Sequence, residues 1–125
     1  MAVRLTEILI DCADPKALGS WWQAVLGWER GEDTDVTSDG EDEEVELRNP
    51  DGWPHLVFLK VPEPKSVKNR IHIDLNPRGA DQADELERLL GLGAKRIDIG
   101  QGEQTWVVLA DPEGNEFCLL RTRTD

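Results

Sequence analysis

The sequence predicts an α+β fold built from two tandem copies of one βαβββ unit, and three observations support this prediction. The turn Asn-Pro-Asp-Gly at residues 49–52 returns as Asp-Pro-Glu-Gly at residues 111–114, and a short apolar run follows each turn. An Ala-Asp pair opens a helical stretch that ends at Leu-Gly in both halves, and an alternating strand-like segment precedes each helix. We therefore expect a single domain, residues 1–125, made of module one (1–62) and module two (67–125).

In module one, residues 4–12 alternate between two faces, a period of two that predicts a strand. Asp14 is a predicted helix N-cap with Pro15 at the first helical position, and Gly27 is the predicted stop. The helix carries an apolar stripe at spacings of three and four residues. Its members are Ala17, Leu18, Trp21, Trp22, Val25 and Leu26. Further strands are predicted at residues 28–36, 43–47 and 55–61.

Module two repeats this order after a short linker, residues 62–66, which contains Pro62 and Pro64. Residues 70–75 alternate and predict a strand. Asp81 is expected to cap the second helix, and Gly91 and Gly93 are expected to close it. The last three strands are predicted at residues 95–99, 105–109 and 116–121. In this α+β arrangement the helices should pack on the outer faces of mostly antiparallel sheets.

Composition narrows the possible functions. The formal net charge is −12, which argues against binding to nucleic-acid backbones or to anionic membrane surfaces. No apolar run approaches the length of a membrane span, and the N-terminus lacks a signal-peptide pattern. Cys12 and Cys118 form no Cys-x-x-Cys motif, so free thiols in a reducing compartment are expected. These features together predict a cytoplasmic protein.

The acidic residues are concentrated in one block, residues 29–46, where Arg30 is the only basic residue. Such a block repels itself and stays solvated, so it is consistent with a solubility-giving edge. It is also consistent with an electrostatic funnel for a cationic ligand. Two interpretations are also open for Trp53 and Trp106: their rings are partly buried in the ordinary way, or they stack on a planar or cationic ligand.

His72 is a candidate site residue on a predicted strand face. It lies between two isoleucines, and it is either a hydrogen-bonded strand histidine or a metal ligand or general base. Glu7 is a carboxylate on the corresponding strand of module one. If both point inward, each would perturb the protonation of the other. A Cys118–His72 nucleophile pair is conceivable, but the sequence offers no group that would activate it.

The duplicated unit and the Asp-Pro-Glu-Gly-Asn turn before the last strand resemble the vicinal oxygen chelate superfamily, which includes glyoxalase I, bleomycin-resistance proteins and extradiol dioxygenases. The likeness covers nearly the whole chain and is most specific at residues 13–27, 71–75 and 111–120. Within this superfamily the chain most resembles the glyoxalase-like group of small bacterial proteins. The resemblance implies that each half curls its sheet into a U and that the halves form a cleft with the helices outside.

The resemblance also implies positions for metal ligands on the inner strands. They fall on Glu7, His72, Phe58 and Cys118, of which Glu7 and His72 are competent ligands and Phe58 supplies no donor. Cys118 could bind zinc as a thiolate. Glu116 shares the predicted strand face of Cys118 and is a weaker substitute. With Phe58 facing inward, His55 has the parity of the opposite face.

Two functions follow from the resemblance. In the first, the chain binds a small cationic or aromatic molecule in the cleft, lined by Trp53, Phe58, Trp106 and Cys118, without a complete glyoxalase metal site. In the second, it is a lyase, isomerase or dioxygenase relative in which Glu7 and His72 are catalytic. There they hold one divalent cation, zinc, nickel, manganese or iron, that acts as a Lewis acid. A homodimer is expected because such folds often pair through their sheets, and a domain whose purpose is dimerisation is a third possibility.

Overall fold

The computed structural model describes residues 2–31, 44–98, 100 and 104–125. The chain divides into two compact units, unit 1 (Met1–Pro64) and unit 2 (Lys65–Asp125). Each unit follows the order strand, helix, three strands, which confirms the predicted α+β fold of two βαβββ modules. No helix in the described ranges is long and apolar enough to cross a membrane.

Unit 1 contains one helix and a four-stranded mixed sheet in the order β1-β4-β3-β2. Its elements are β1 (Glu7–Cys12), α1 (Pro15–Leu26), β2 (Glu29–Arg30), β3 (Glu44–Arg48) and β4 (His55–Lys60). The pair β1–β4 is parallel, whereas β3 is antiparallel to both β2 and β4. Residues 32–36 of the predicted second strand, and most of the acidic block, lie outside the described residues.

Unit 2 repeats this topology in a sheet of order β5-β8-β7-β6. Its elements are β5 (Ile73–Leu75), α2 (Gln82–Gly91), β6 (Lys95–Arg96), β7 (Val107–Ala110) and β8 (Glu116–Leu119). The pair β5–β8 is parallel, and the other two pairs are antiparallel. Strand β5 begins at Ile73 rather than at the predicted residue 70.

The two helices are capped differently. Asp14 caps α1 as predicted, since its carboxylate accepts a hydrogen bond from Ala17 N–H at 3.1 Å. Gly27 ends the helix in the left-handed conformation with φ of 72°. Asp81 precedes α2 but makes no side-chain cap. The reason is that its carboxylate accepts from the Arg123 guanidinium at 3.1 Å instead.

A close approach at Gly19 determines which face of the first sheet is covered by α1. A Cβ atom at Gly19 would lie 2.6 Å from Val45 Cγ1 and 3.6 Å from the Phe58 ring. Val45 and Phe58 are register partners on β3 and β4, and both are fully buried. Phe58 therefore packs against α1 and is part of the core of unit 1.

Candidate functional site

The burial of Phe58 against α1 reverses the expected assignment of faces in unit 1. Because side chains alternate along a strand, His55 and Val57 lie on the face opposite Phe58. The parallel register pairs Glu7 with His55 and Leu9 with Val57, so Glu7 shares that face. Glu7 and His55 thus share one face of the first sheet and Phe58 lies on the other, whereas the resemblance implied a shared inner face for Glu7 and Phe58. Because Gly19 has no side chain, α1 lies close enough to the sheet for the Phe58 ring to pack against it.

His55 is held by the turn that precedes its strand. Its Nδ1 accepts a hydrogen bond from Asn49 N–H at 2.9 Å, so a neutral ring carries its proton on Nε2. The Trp53 ring lies 6.4 Å from the His55 ring and is 52% exposed. The Arg4 guanidinium lies 4.5 Å from the centre of the Trp53 ring, a cation–π contact. Glu7, His55 and Trp53 thus form an open polar and aromatic patch in unit 1.

Cys118 in unit 2 is paired with an acidic neighbour. It is the register partner of Asp74 on β5, and its buried thiol is hydrogen bonded to the Asp74 carboxylate. Burial raises the pKa of the Cys118 thiol, and the negative charge of Asp74 raises that pKa further, against a smaller opposing effect of Lys68. The thiol is therefore held in its protonated form. This environment is unsuited to a nucleophilic thiolate.

His72 immediately precedes β5 and is half-buried. Its Nε2 lies 3.0 Å from Lys68 Nζ and 3.2 Å from the carbonyl oxygen of Asn69. Nε2 can accept a hydrogen bond from the ammonium or donate one to the carbonyl, according to the tautomer of the ring. In either state this nitrogen already has a partner from the segment before β5.

Glu116, the first residue of β8, is buried and fully engaged. One carboxylate oxygen accepts from Lys65 Nζ at 2.9 Å, and the other accepts from Asn69 N–H at 2.9 Å. Burial alone would raise the pKa of Glu116, but the hydrogen bonds from Asn69 and Lys65 outweigh it and hold the pKa below its usual value. Glu116 is therefore a buried ion-pair residue whose two carboxylate oxygens both accept hydrogen bonds within unit 2.

We call the contiguous polar residues of unit 2 the polar cluster. Its members are Lys65, Lys68, Asn69, His72, Asp74, Glu116 and Cys118. The structure thus brings three predicted site residues together here, while Glu7 and Trp53 lie near His55 in unit 1. Trp106 lies just before β7 and is partly exposed. Sequence reasoning missed Lys65, Lys68 and Asn69, although a run of basic residues in so acidic a chain was an available signal.

The side chains of the polar cluster do not fit a metal site as they stand. The Nε2 atom of His72, the Glu116 carboxylate and the Cys118 thiol each interact with a neighbouring side chain. The Lys68 ammonium lies 3.0 Å from His72 Nε2, where its positive charge would repel a metal cation. Among the residues that the structure describes, no three His, Cys, Asp or Glu side chains are grouped so as to hold a metal ion.

Comparison with known proteins identifies the family. The sequence matches the glyoxalase-like domain over residues 7–120, so the chain belongs to this family. It is a member of the vicinal oxygen chelate superfamily, as the sequence predicted. A search of curated proteins found no significant match.

Three solved structures show the same fold at low sequence identity. The fosfomycin resistance protein FosX from Listeria monocytogenes superposes with a TM-score of 0.74 at 14% identity, covering 98% of this chain and 93% of that chain. A mutant of FosX was solved with Mn(II) and 1S,2S-dihydroxypropylphosphonic acid, and it matches with a TM-score of 0.74 at 13% identity over 96% and 93% of the two chains. A possible glyoxalase from Bacillus cereus matches with a TM-score of 0.68 at 15% identity over 95% and 99%. These likenesses establish the fold.

Proposed function

We propose that the chain binds a small organic molecule at the polar cluster of unit 2, without a complete metal site of the glyoxalase type. The observation that carries this proposal is the internal pairing of the polar cluster. His72 Nε2 faces Lys68, Glu116 is bound by Lys65 and Asn69, and the Cys118 thiol is bonded to Asp74. These groups can still present hydrogen bonds and charge to an organic ligand.

The accessible indole ring of Trp106 supports the same proposal. It is 36% exposed and lies just before β7 in the same unit. An exposed indole offers a flat apolar surface on which a planar ligand can stack. We assign Trp106 to ligand contact, keep Cys118 as a polar contact of the cluster, and leave out Phe58 because it is buried against α1. Ligand contact by Trp53, which lies in unit 1, stays a prediction.

The second candidate is a metal-dependent lyase, isomerase or dioxygenase in which Glu7 and His72 hold a divalent cation. One observation favours it: the Glu7 carboxylate is exposed and has no ion pair with any residue in the described ranges. The FosX neighbour solved with Mn(II) makes the chemistry reasonable for this fold. In this candidate His72 must exchange the ammonium of Lys68 for a cation.

Metal content separates the two candidates. Protein purified without chelator is titrated with zinc, nickel and manganese by calorimetry and analysed by elemental mass spectrometry. We expect no stoichiometric metal in the wild type, in Glu7→Ala or in His72→Ala, with Glu87→Ala as the control for loss of a helix-surface carboxylate. Stoichiometric binding of any of the three cations would contradict the proposal. Its loss in both Glu7→Ala and His72→Ala, but not in Glu87→Ala, would establish the metal-dependent candidate.

A further inference from the structure

The ammonium of Lys68 lies beside the imidazole of His72 and has no ion pair with any carboxylate among the described residues. We infer that Lys68 is the anchoring residue for a small-molecule carboxylate, which binds at the ammonium next to His72. This inference rests on the proposed function and deepens it by naming the ligand class and the residue that selects it.

The contacts of His72 allow the ammonium to change partners. In the wild-type structure Lys68 Nζ and Asn69 O both lie within hydrogen-bond distance of His72 Nε2, at 3.0 Å and 3.2 Å. When a carboxylate takes the ammonium, the ring can carry its proton on Nε2 and donate to Asn69 O. The ligand therefore gains a charge-assisted hydrogen bond while His72 keeps a partner.

The charges of the cluster indicate a monoanionic ligand. Lys65 is neutralised by the Glu116 carboxylate at 2.9 Å. Lys68 forms no ion pair with a carboxylate in the part of the chain that the structure describes. Lys68 is therefore the lysine of the cluster that has no ion pair among the described residues, while the charges of both Lys68 and Asp74 act on Cys118. A single positive charge matches a carboxylate better than a doubly charged phosphate.

Lys68 is held in position by the contacts of Glu116 with the residues around it, which we call the Glu116 clamp. Glu116 binds Lys65 and the backbone of Asn69, and Lys65 also donates to Val67 O at 2.7 Å. Residues on both sides of Lys68 are thereby fixed to β8. A charged group on a fixed segment loses less conformational freedom on binding than one on a loose chain. The clamp thus makes Lys68 a prepared site rather than a random surface lysine.

This ligand has the opposite sign to the cationic one suggested by the acidic block. Most of that block lies outside the described residues, and it is remote in sequence from unit 2. The basic residues Lys65, Lys68 and Arg70 fall within six positions of each other at the start of unit 2. The local charge at the polar cluster, and not the net charge of the chain, governs a contact at hydrogen-bond distance.

The test compares benzoate with its neutral analogue benzamide, using the ring signals of His72 in a ¹H–¹⁵N NMR titration. Benzoate is expected to shift these signals saturably in the millimolar range, and benzamide is not. Lys68→Met should weaken benzoate binding about tenfold or more, because a charge-assisted hydrogen bond is lost. Lys68→Gln keeps a donor for His72 without the charge and should lose benzoate equally. Lys95→Met, which removes an exposed lysine on β6, should leave the affinity unchanged.

Three results would overturn the inference: no saturable shift with benzoate, equal shifts with benzoate and benzamide, or full benzoate affinity in Lys68→Gln. Equal binding of the two compounds would leave small-molecule binding intact and remove only the carboxylate selectivity. Stoichiometric metal binding in the calorimetric titration would instead contradict the proposed metal-free function. Failure of the carboxylate inference and failure of the proposed function therefore give different results. Lys68 is exposed, and unchanged urea midpoints of its variants would show that they fold.

Discussion

Replacing Glu116 by alanine is expected to lower the free energy of unfolding by about 2–3 kcal/mol. The wild-type carboxylate is buried and accepts hydrogen bonds from Lys65 Nζ and Asn69 N–H, both at 2.9 Å. Alanine would leave a partly buried ammonium and a backbone donor without an acceptor. The same change should raise the hydrogen-exchange rate of the Asn69 amide, since that proton is bonded to the carboxylate.

The pH dependence of stability follows from the depressed pKa of Glu116. A carboxyl whose pKa is lower in the folded than in the unfolded state stabilises the fold fully above its unfolded pKa. That contribution disappears as the pH falls through the folded pKa. Glu116→Gln cannot ionise, so the stability difference between the wild type and Glu116→Gln should shrink as the pH is lowered through the acidic range.

Urea unfolding measures these effects, with Glu63→Ala as the control. Glu63 is exposed just before unit 2 and forms no ion pair with a described residue, so its loss should change the free energy of unfolding by less than about 0.5 kcal/mol. If Glu116→Ala were equally neutral, the clamp on residues 65–69 would not exist in solution. The placement of Lys68 would then lack its physical basis.

Gly19→Ala is the second large effect, a loss of about 1–3 kcal/mol. In an open helix this substitution would stabilise by about 0.5–1 kcal/mol, because glycine loses more backbone freedom on folding. At Gly19 the new Cβ would lie 2.6 Å from Val45 Cγ1 and 3.2 Å from Val45 Cβ. Since a β-branched side chain cannot simply rotate away, α1 must move from the sheet.

Gly91→Ala provides the matched control within the other helix. Nothing lies within 4 Å of a Cβ built at Gly91, so alanine there should stabilise by about 0.5–1 kcal/mol. Thermal or urea unfolding of the two variants should therefore move in opposite directions. Stabilisation by both substitutions would show that α1 does not approach Val45 and Phe58 as closely as the structure has it.

The predicted parts of the fold rest on local signals. Asp14, Pro15 and Gly27 act within a few residues of themselves, so the bounds of α1 could be read from the sequence. The repeated turns likewise indicated the two βαβββ modules without any knowledge of tertiary contacts. Asp81 shows the limit of such signals. Its carboxylate accepts a hydrogen bond from Arg123, which is 42 positions away in the sequence, and does not cap α2.

The predicted site was less accurate because it depended on which sheet face is covered. Alternation separates Phe58 from His55 but does not say which of them faces the helix. The absence of a side chain at Gly19 allows α1 to pack on the face that carries Phe58. The Lys68–His72 contact was missed for another reason: residues 65–72 have no regular structure, so no periodicity places one side chain over another.

The state of the His72 ring tests the central claim that the polar cluster serves an organic ligand and not a metal ion. The chain has two histidines, so a long-range ¹H–¹⁵N spectrum of the imidazole nitrogens can be assigned with a single variant, His55→Gln. On addition of equimolar zinc, we predict that the Nε2 signal of His72 keeps its position, because Lys68 and Asn69 already occupy Nε2. A stoichiometric shift of one His72 nitrogen to the metal-bound range would contradict the account.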